Sequence, residues 1–245
     1  MAEKKERKVV KVSETKPQTE KAKAPAEKAT GKRVAAVVLW LLGIACEVLC
    51  ILLLNHYLYL PGMPERTMLY LIIGIVADLV FVIIGSQLWK RANRIDPASE
   101  KNKVKFFLWN QMGLIVAVIA FMPLVILLLK DKELDKKTRK IVSIVACAAL
   151  VVAGLTSVDW DPVSSEEKAA AEADAAAEND GIVYWTTFGK CYHYDQDCQA
   201  LKNSSTLYEG TIEEAFEANR AKPCSFCVKK ADEQEQEVAL LVPAQ

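Results

Sequence analysis

The sequence predicts an α-helical membrane bundle of four transmembrane helices joined to a small α+β domain. Three observations carry this expectation: four long runs without net polarity, a swing from basic to acidic charge along the chain, and a short region rich in Cys, His and aromatic residues after the last run. The 245 residues hold 31 Lys+Arg and 31 Asp+Glu, and 52% are hydrophobic. That zero net charge is a sum of opposites, since residues 1–33 hold 11 basic and 5 acidic side chains whereas 157–181 hold 1 and 8. Charge segregated between long apolar runs excludes a simple soluble globule.

Residues 1–32 read as a disordered basic tail. They are rich in Lys, Glu, Ala, Pro and Thr, and have too few large apolar side chains to offset the entropy of ordering. The tail is too long, and the run after it too extended, for a cleavable signal peptide.

Residues 33–158 form the expected four-helix transmembrane domain. Its segments are Val34–Leu54, Met68–Leu88, Phe106–Leu129 and Ile141–Val158, each close to the ~20 residues that cross a bilayer. The fourth is shortest and rich in Ala; were it not to span, the carboxy-terminal region would lie on the opposite side. Pro123 is expected to kink the third helix, which a membrane bundle tolerates. Trp40, Tyr57, Tyr59, Tyr70, Trp89 and Trp109 lie mostly near segment ends, as interfacial aromatics do. Lys and Arg are concentrated in the amino-terminal tail and in the loop after the second segment, which places both termini in the cytoplasm. The stretch Lys130–Lys140 opposes this, being basic yet facing outward.

Residues 159–181 read as an acidic linker, with good helix formers and no apolar face. In 182–230, Val183–Thr187 is strand-like, residues 188–190 can turn the chain, and Cys191–Tyr194 can return it as a hairpin. Thr211 and Glu214 form a capping-box pattern that opens a helix to about Arg220, and Lys222 and Pro223 end it. Residues 231–245 read as a polar tail.

Within 182–230, His193 and Cys198 read H-x4-C, and Cys224 and Cys227 read C-x2-C. Two close-spaced ligand pairs joined by a connecting element suit a tetrahedral Zn2+ ion, and so small a module needs the folding free energy a metal supplies. This makes 182–230 a candidate zinc-binding module with Zn2+ as its cofactor. Cys191 shares a strand face with His193 and is an alternative ligand. Buried thiols, a disulfide or a C-x2-C redox pair are the competing readings, the last without the βαβ pattern it usually accompanies. Cys46, Cys50 and Cys147 lie in apolar segments and read as packing residues.

The stretch V-Y-W-T-T-F-G-K-C-Y-H-Y-D-Q-D-C, with T-I-E-E-A-F and K-P-C-S-F-C after it, resembles the small metal-binding module of the Ada DNA-repair proteins and its stand-alone relatives. The likeness covers residues 182–228. It implies that Cys198, Cys224 and Cys227 are metal ligands and that His193 stands where the Ada module has its methyl-accepting thiolate. With imidazole in that place, alkyl transfer is not implied. The whole arrangement is similar to uncharacterised membrane proteins of Gram-positive bacteria.

Glu47 and Asp78 interrupt the first two apolar segments. In a hairpin turning near Gly62 and Met63 they fall at the same depth, each on a stripe of small residues: Gly43, Cys46 and Cys50 with the first, Gly74, Ala77 and Gly85 with the second. No basic residue lies at that depth. A proton or a cation between them, or a neutral hydrogen-bonded pair of acids, would satisfy the cost of burial. Asn55 and His56 read as interfacial, and Asn110, Gln111 and Gly113 as polar packing contacts.

These residues suggest a membrane protein whose cytoplasmic zinc module serves interaction or regulation. The alternative is a small proton, cation or solute transport protein using Glu47 and Asp78 with the zinc module as regulator. No catalytic residue is assigned, because the chain lacks a Ser/His/Asp set, a phosphate-binding glycine loop and an H-E-x-x-H helix. The expected partners are the lipid bilayer, a cytoplasmic macromolecule and a second copy of the chain. Nucleic acid is not expected, since the acidic module would be repelled by phosphates.

Overall fold

The computed structural model describes residues 8–12 and 23–229. The chain divides into two compact units. The larger comprises Glu27–Asn93 and Lys101–Pro162; the smaller comprises the described residues of Met1–Ala26, Arg94–Glu100 and Val163–Gln245.

The larger unit is built from α1 (Lys23–Leu54), α2 (Thr67–Ile95), α3 (Lys103–Asn110), α4 (Met112–Lys130) and α5 (Lys136–Ser157). Of these, α1, α2, α4 and α5 are long and apolar enough to cross a membrane, the fourth expected segment included. Leu71, Ile75, Phe121, Leu124, Val142 and Ala146 are buried at the centre. Leu41, Ile73, Ile119 and Leu155 are exposed on the outer faces, the pattern of a bundle solvated by hydrocarbon rather than water.

Local chemistry sets the helix ends. The Asn102 side chain accepts from the Lys105 N–H at 3.0 Å and starts α3; Asp135 does the same for α5 through Thr138 at 3.0 Å. At the end of α5 the Lys90 ammonium donates to the carbonyls of Thr156 and Val158, placing a cation on the negative end of the helix. Gly62, with φ of 84°, turns the chain between α1 and α2 where the hairpin was expected. The two helices then approach closely, since a Cβ on Gly74 would collide with Cys50 Sγ.

The third apolar segment is not one helix. It breaks at Gln111, where two polar side chains turn to partners elsewhere: Asn110 Oδ1 accepts from Asn93, and Gln111 exchanges hydrogen bonds with the backbone of Asp159. Gly113 packs where a Cβ would meet Ser86 Oγ at 2.8 Å.

The smaller unit contains β1 (Lys8–Lys11), α6 (Ser165–Asn179), β2 (Val183–Trp185), β3 (Cys191–Tyr192), β4 (Thr206–Gly210), α7 (Ile212–Glu217) and β5 (Lys222–Pro223). Two small sheets form, β1-β4-β2 and β3-β5. Two parts of the expected solvated tail therefore have regular structure. Lys8–Lys11 pairs parallel to β4, with Val9 and Val10 opposite Leu207 and Tyr208 and Lys11 ion-paired to Glu209 at 3.3 Å, while α1 reaches back to Lys23. The polar tail 231–245 lies outside the described residues.

The acidic linker also differs from expectation. A capping box between Ser164 and Glu167 opens α6, which ends at Asp180 in the left-handed region. One face of the helix is apolar after all: Ala171 and Ala175, one turn apart, are buried in the core with Val183, Trp185, Leu207 and Phe216. Alanine contributes so little hydrophobic area that this face is faint in the sequence.

Candidate metal centre

Each ligand-bearing side chain is positioned by backbone pairing nearby. His193 follows β3 and exchanges two hydrogen bonds with Tyr184 of β2, at 2.8 and 2.7 Å, which is the expected hairpin return in reduced form. The Asp195 side chain accepts from the Asp197 N–H at 2.8 Å and tightens the turn that delivers Cys198. Cys224 follows β5, and its N–H donates to the Tyr192 carbonyl at 2.8 Å, so the parallel β3-β5 pair brings the second ligand pair beside the first. The Cys227 N–H then donates to the Cys224 carbonyl at 3.0 Å, and this turn brings both thiols to the same side. The Thr211–Glu214 capping box forms as expected and starts α7, with Ile212, Ala215 and Phe216 buried in the same core as Cys198, Cys224 and Cys227.

The result is a convergent set. One ligand atom from each of His193, Cys198, Cys224 and Cys227 lies within 4.8 Å of every other, and all four residues are buried. Ligand atoms on a tetrahedral zinc ion stand roughly 3.5–3.8 Å apart, from Zn–S and Zn–N lengths of about 2.3 and 2.0 Å. A contraction of about 1 Å would therefore close the set on an ion, and the donor chemistry, three sulfurs and one imidazole nitrogen, fits zinc. The cluster could hold a metal ion.

The orientation of the imidazole bears on Cys191. Nδ1 of His193 faces Cys227 Sγ at 3.9 Å, whereas Nε2 faces Cys191 Sγ at 3.8 Å. Cys191 thus stands at the Nε2 edge of the ring, beside Cys224, and is not a member of the four-residue group. Burial holds His193 below its ordinary value, keeping the imidazole neutral and able to ligate. Burial also pushes the Cys198 thiol up to about 12, and burial and the neighbouring Cys224 raise Cys191. A metal must displace the protons of its thiol ligands, so its hold weakens as pH falls.

One positioning residue had no sequence signal. The Arg220 guanidinium donates to the carbonyls of Thr187 at 2.7 Å, Thr186 at 3.3 Å and Ala218 at 2.6 Å, tying the turn before β3 to the end of α7. Asn219, with φ of 64°, aims it there. Glu47 and Asp78 lie in the larger unit: both are buried, Glu47 accepts from the Leu124 N–H, and Asp78 faces α1 across Gly43. His56 lies 3.4 Å from Glu133 in the loop before α5.

Comparison of the chain with family models, curated proteins and solved structures gives no match. The likeness to the Ada module therefore rests on the residues of 182–228 alone.

Proposed function

We propose that this chain is an integral membrane protein whose carboxy-terminal module is held together by one structural zinc ion and acts in the cytoplasm by binding another macromolecule. The observation that carries the reading is the convergence of four buried ligand atoms within 4.8 Å. With three thiolates and one imidazole the coordination shell is full, which leaves no open position for a reacting water and favours a scaffold over a catalyst. In Ada-like terms the module keeps the metal-holding part and has His193 in place of the reactive thiolate.

Exposed aromatics beside the metal support an interaction role. Phe188, at the tip of the turn before β3, is 95% exposed, and Phe226, between the ligands Cys224 and Cys227, is also exposed. Aromatic side chains held rigid on a metal-clamped turn are effective anchors for a protein partner.

Cobalt substitution tests the site. Co2+ bound to the full-length protein should give the visible spectrum of a tetrahedral ion with three thiolates, unchanged by Cys191→Ser and altered by His193→Ala; the reverse pattern would make Cys191 the ligand. A photo-crosslinker at position 188 in intact cells should give a discrete adduct that Cys224→Ser abolishes. Absence of any adduct would contradict the interaction role.

A further inference from the structure

Glu47 and Asp78 remain after the metal centre is accounted for. They sit mid-span in α1 and α2, 5% and 1% exposed. Glu47 has one fixed partner, since its Oε1 accepts from the Leu124 N–H at 3.2 Å. That residue follows Pro123 within α4, where the proline ring disturbs the helical ladder and leaves backbone open to a side chain.

Asp78 is different. Among the described residues neither of its carboxyl oxygens has a hydrogen-bond partner. The group is aimed across the helix interface, where a Cβ on Gly43 would stand 2.6 Å from Oδ1, one turn along α1 from Glu47. Glu47 lies within electrostatic reach of Asp78, and so do the thiols of Cys46 and Cys50.

No cation from the surrounding helices compensates the pair. The basic residues of α1 end at Arg33 and those of α2 begin at Lys90, each about three turns or more away along its helix. In α4 the one charged residue is Lys130 at its end, and in α5 the charges lie between Lys136 and Lys140; Cys147 of α5 is exposed. The short α3 contributes Lys103 and Lys105, at its start. The convergence of three or more ligand atoms found at the metal centre has no counterpart at Glu47 and Asp78 among the described residues. Two unpaired negative charges cannot persist together in hydrocarbon, and the smallest species that relieves them is a proton.

We propose that Glu47 and Asp78 form an intramembrane proton-binding site, with Glu47 anchored by the Leu124 N–H and Asp78 the carboxyl that takes up and releases the proton. The pair is a built site: one acid is fixed by backbone, the other is held in a glycine-lined gap without a donor.

Infrared difference spectroscopy on zinc-loaded, full-length protein in lipid nanodiscs tests this through pH steps. Wild type should show a protonated-carboxyl band that comes and goes with pH in two coupled steps. Asp78→Asn should lose the Asp78 band, and Glu47→Gln should keep it while reducing the titration to one step. Isotope-labelled aspartate in the wild-type protein assigns the band even if a variant fails to fold. A band that ignores pH would make Asp78 a permanently neutral structural acid and overturn the proposal. Proton release on adding Na+, K+, Mg2+ or Ca2+ at constant pH would assign a metal cation instead and equally overturn it. Retained zinc in the variants separates this outcome from failure of the metal module.

Discussion

The metal cluster of the smaller unit and the carboxyl pair of the larger one are both buried polar groups, and their surroundings differ in kind. Around His193 and Cys224 the backbone is paired residue by residue, and four donors of matched chemistry converge. Among the described residues nothing donates to Asp78, and Glu47 accepts from the Leu124 N–H. The first arrangement is what a permanent occupant requires, because one small module supplies all the donors and the metal's binding free energy becomes its folding free energy. The second suits an occupant that comes and goes, since an unsatisfied group in low dielectric is costly in one state and relieved in the other.

The sharpest way to break this comparison is to remove one member of the convergent set. Cys224→Ser should abolish metal binding and cooperative unfolding of the smaller unit, because a structural zinc in a small module is worth about 10–16 kcal/mol. Far-ultraviolet circular dichroism and metal analysis on the full chain read this, and a module that stayed folded without metal would refute it.

Crowding the carboxyl gap comes next. Gly43→Ala would place its Cβ 2.6 Å from Asp78 Oδ1 and 3.3 Å from Val82 Cγ2, and should destabilise the helix bundle by about 1–3 kcal/mol while leaving zinc content unchanged. Thermal unfolding in detergent measures it; an unshifted midpoint would mean that the interface is loose. A smaller effect is expected at the start of α7, where Thr211→Ala removes the capping box and should cost the metal module about 1 kcal/mol, seen as earlier metal loss to a chelator on heating.

The weakest contribution is pH-dependent. Hydrogen bonds from the Ser99 hydroxyl and the Glu100 N–H hold Glu166 down at about 2, from its ordinary 4.5. A carboxyl lowered on folding stabilises fully above its unfolded value and loses that effect as pH falls through the folded one. Glu166→Gln should therefore slightly lower the stability of the smaller unit at neutral pH, with the effect fading as pH falls toward and below about 2; an effect that does not change with pH would contradict the hydrogen-bond account.

Much of this was legible in the sequence, for physical reasons that differ by region. The four long apolar helices were readable because bilayer thickness sets the length expected of a span, and the convergence of His193, Cys198, Cys224 and Cys227 because two short ligand spacings close small loops. The nearness of Glu47 and Asp78 was expected from hairpin geometry. What escaped was set by long-range pairing. Lys8–Lys11 and Thr206–Gly210 are short and mixed in character, and become strands by pairing, the first against the second and the second also against Val183–Trp185. The break at Gln111 depends on Asn93 and Asp159 far along the chain, and the alanine face of α6 has too little apolar area to announce itself.

The most direct measurement is the zinc content of purified full-length protein after exhaustive dialysis, with Cys191→Ser and Cys224→Ser alongside. The account predicts one zinc per chain in wild type and in Cys191→Ser, and none in Cys224→Ser. No zinc in wild type, or equal retention in Cys224→Ser, would contradict it.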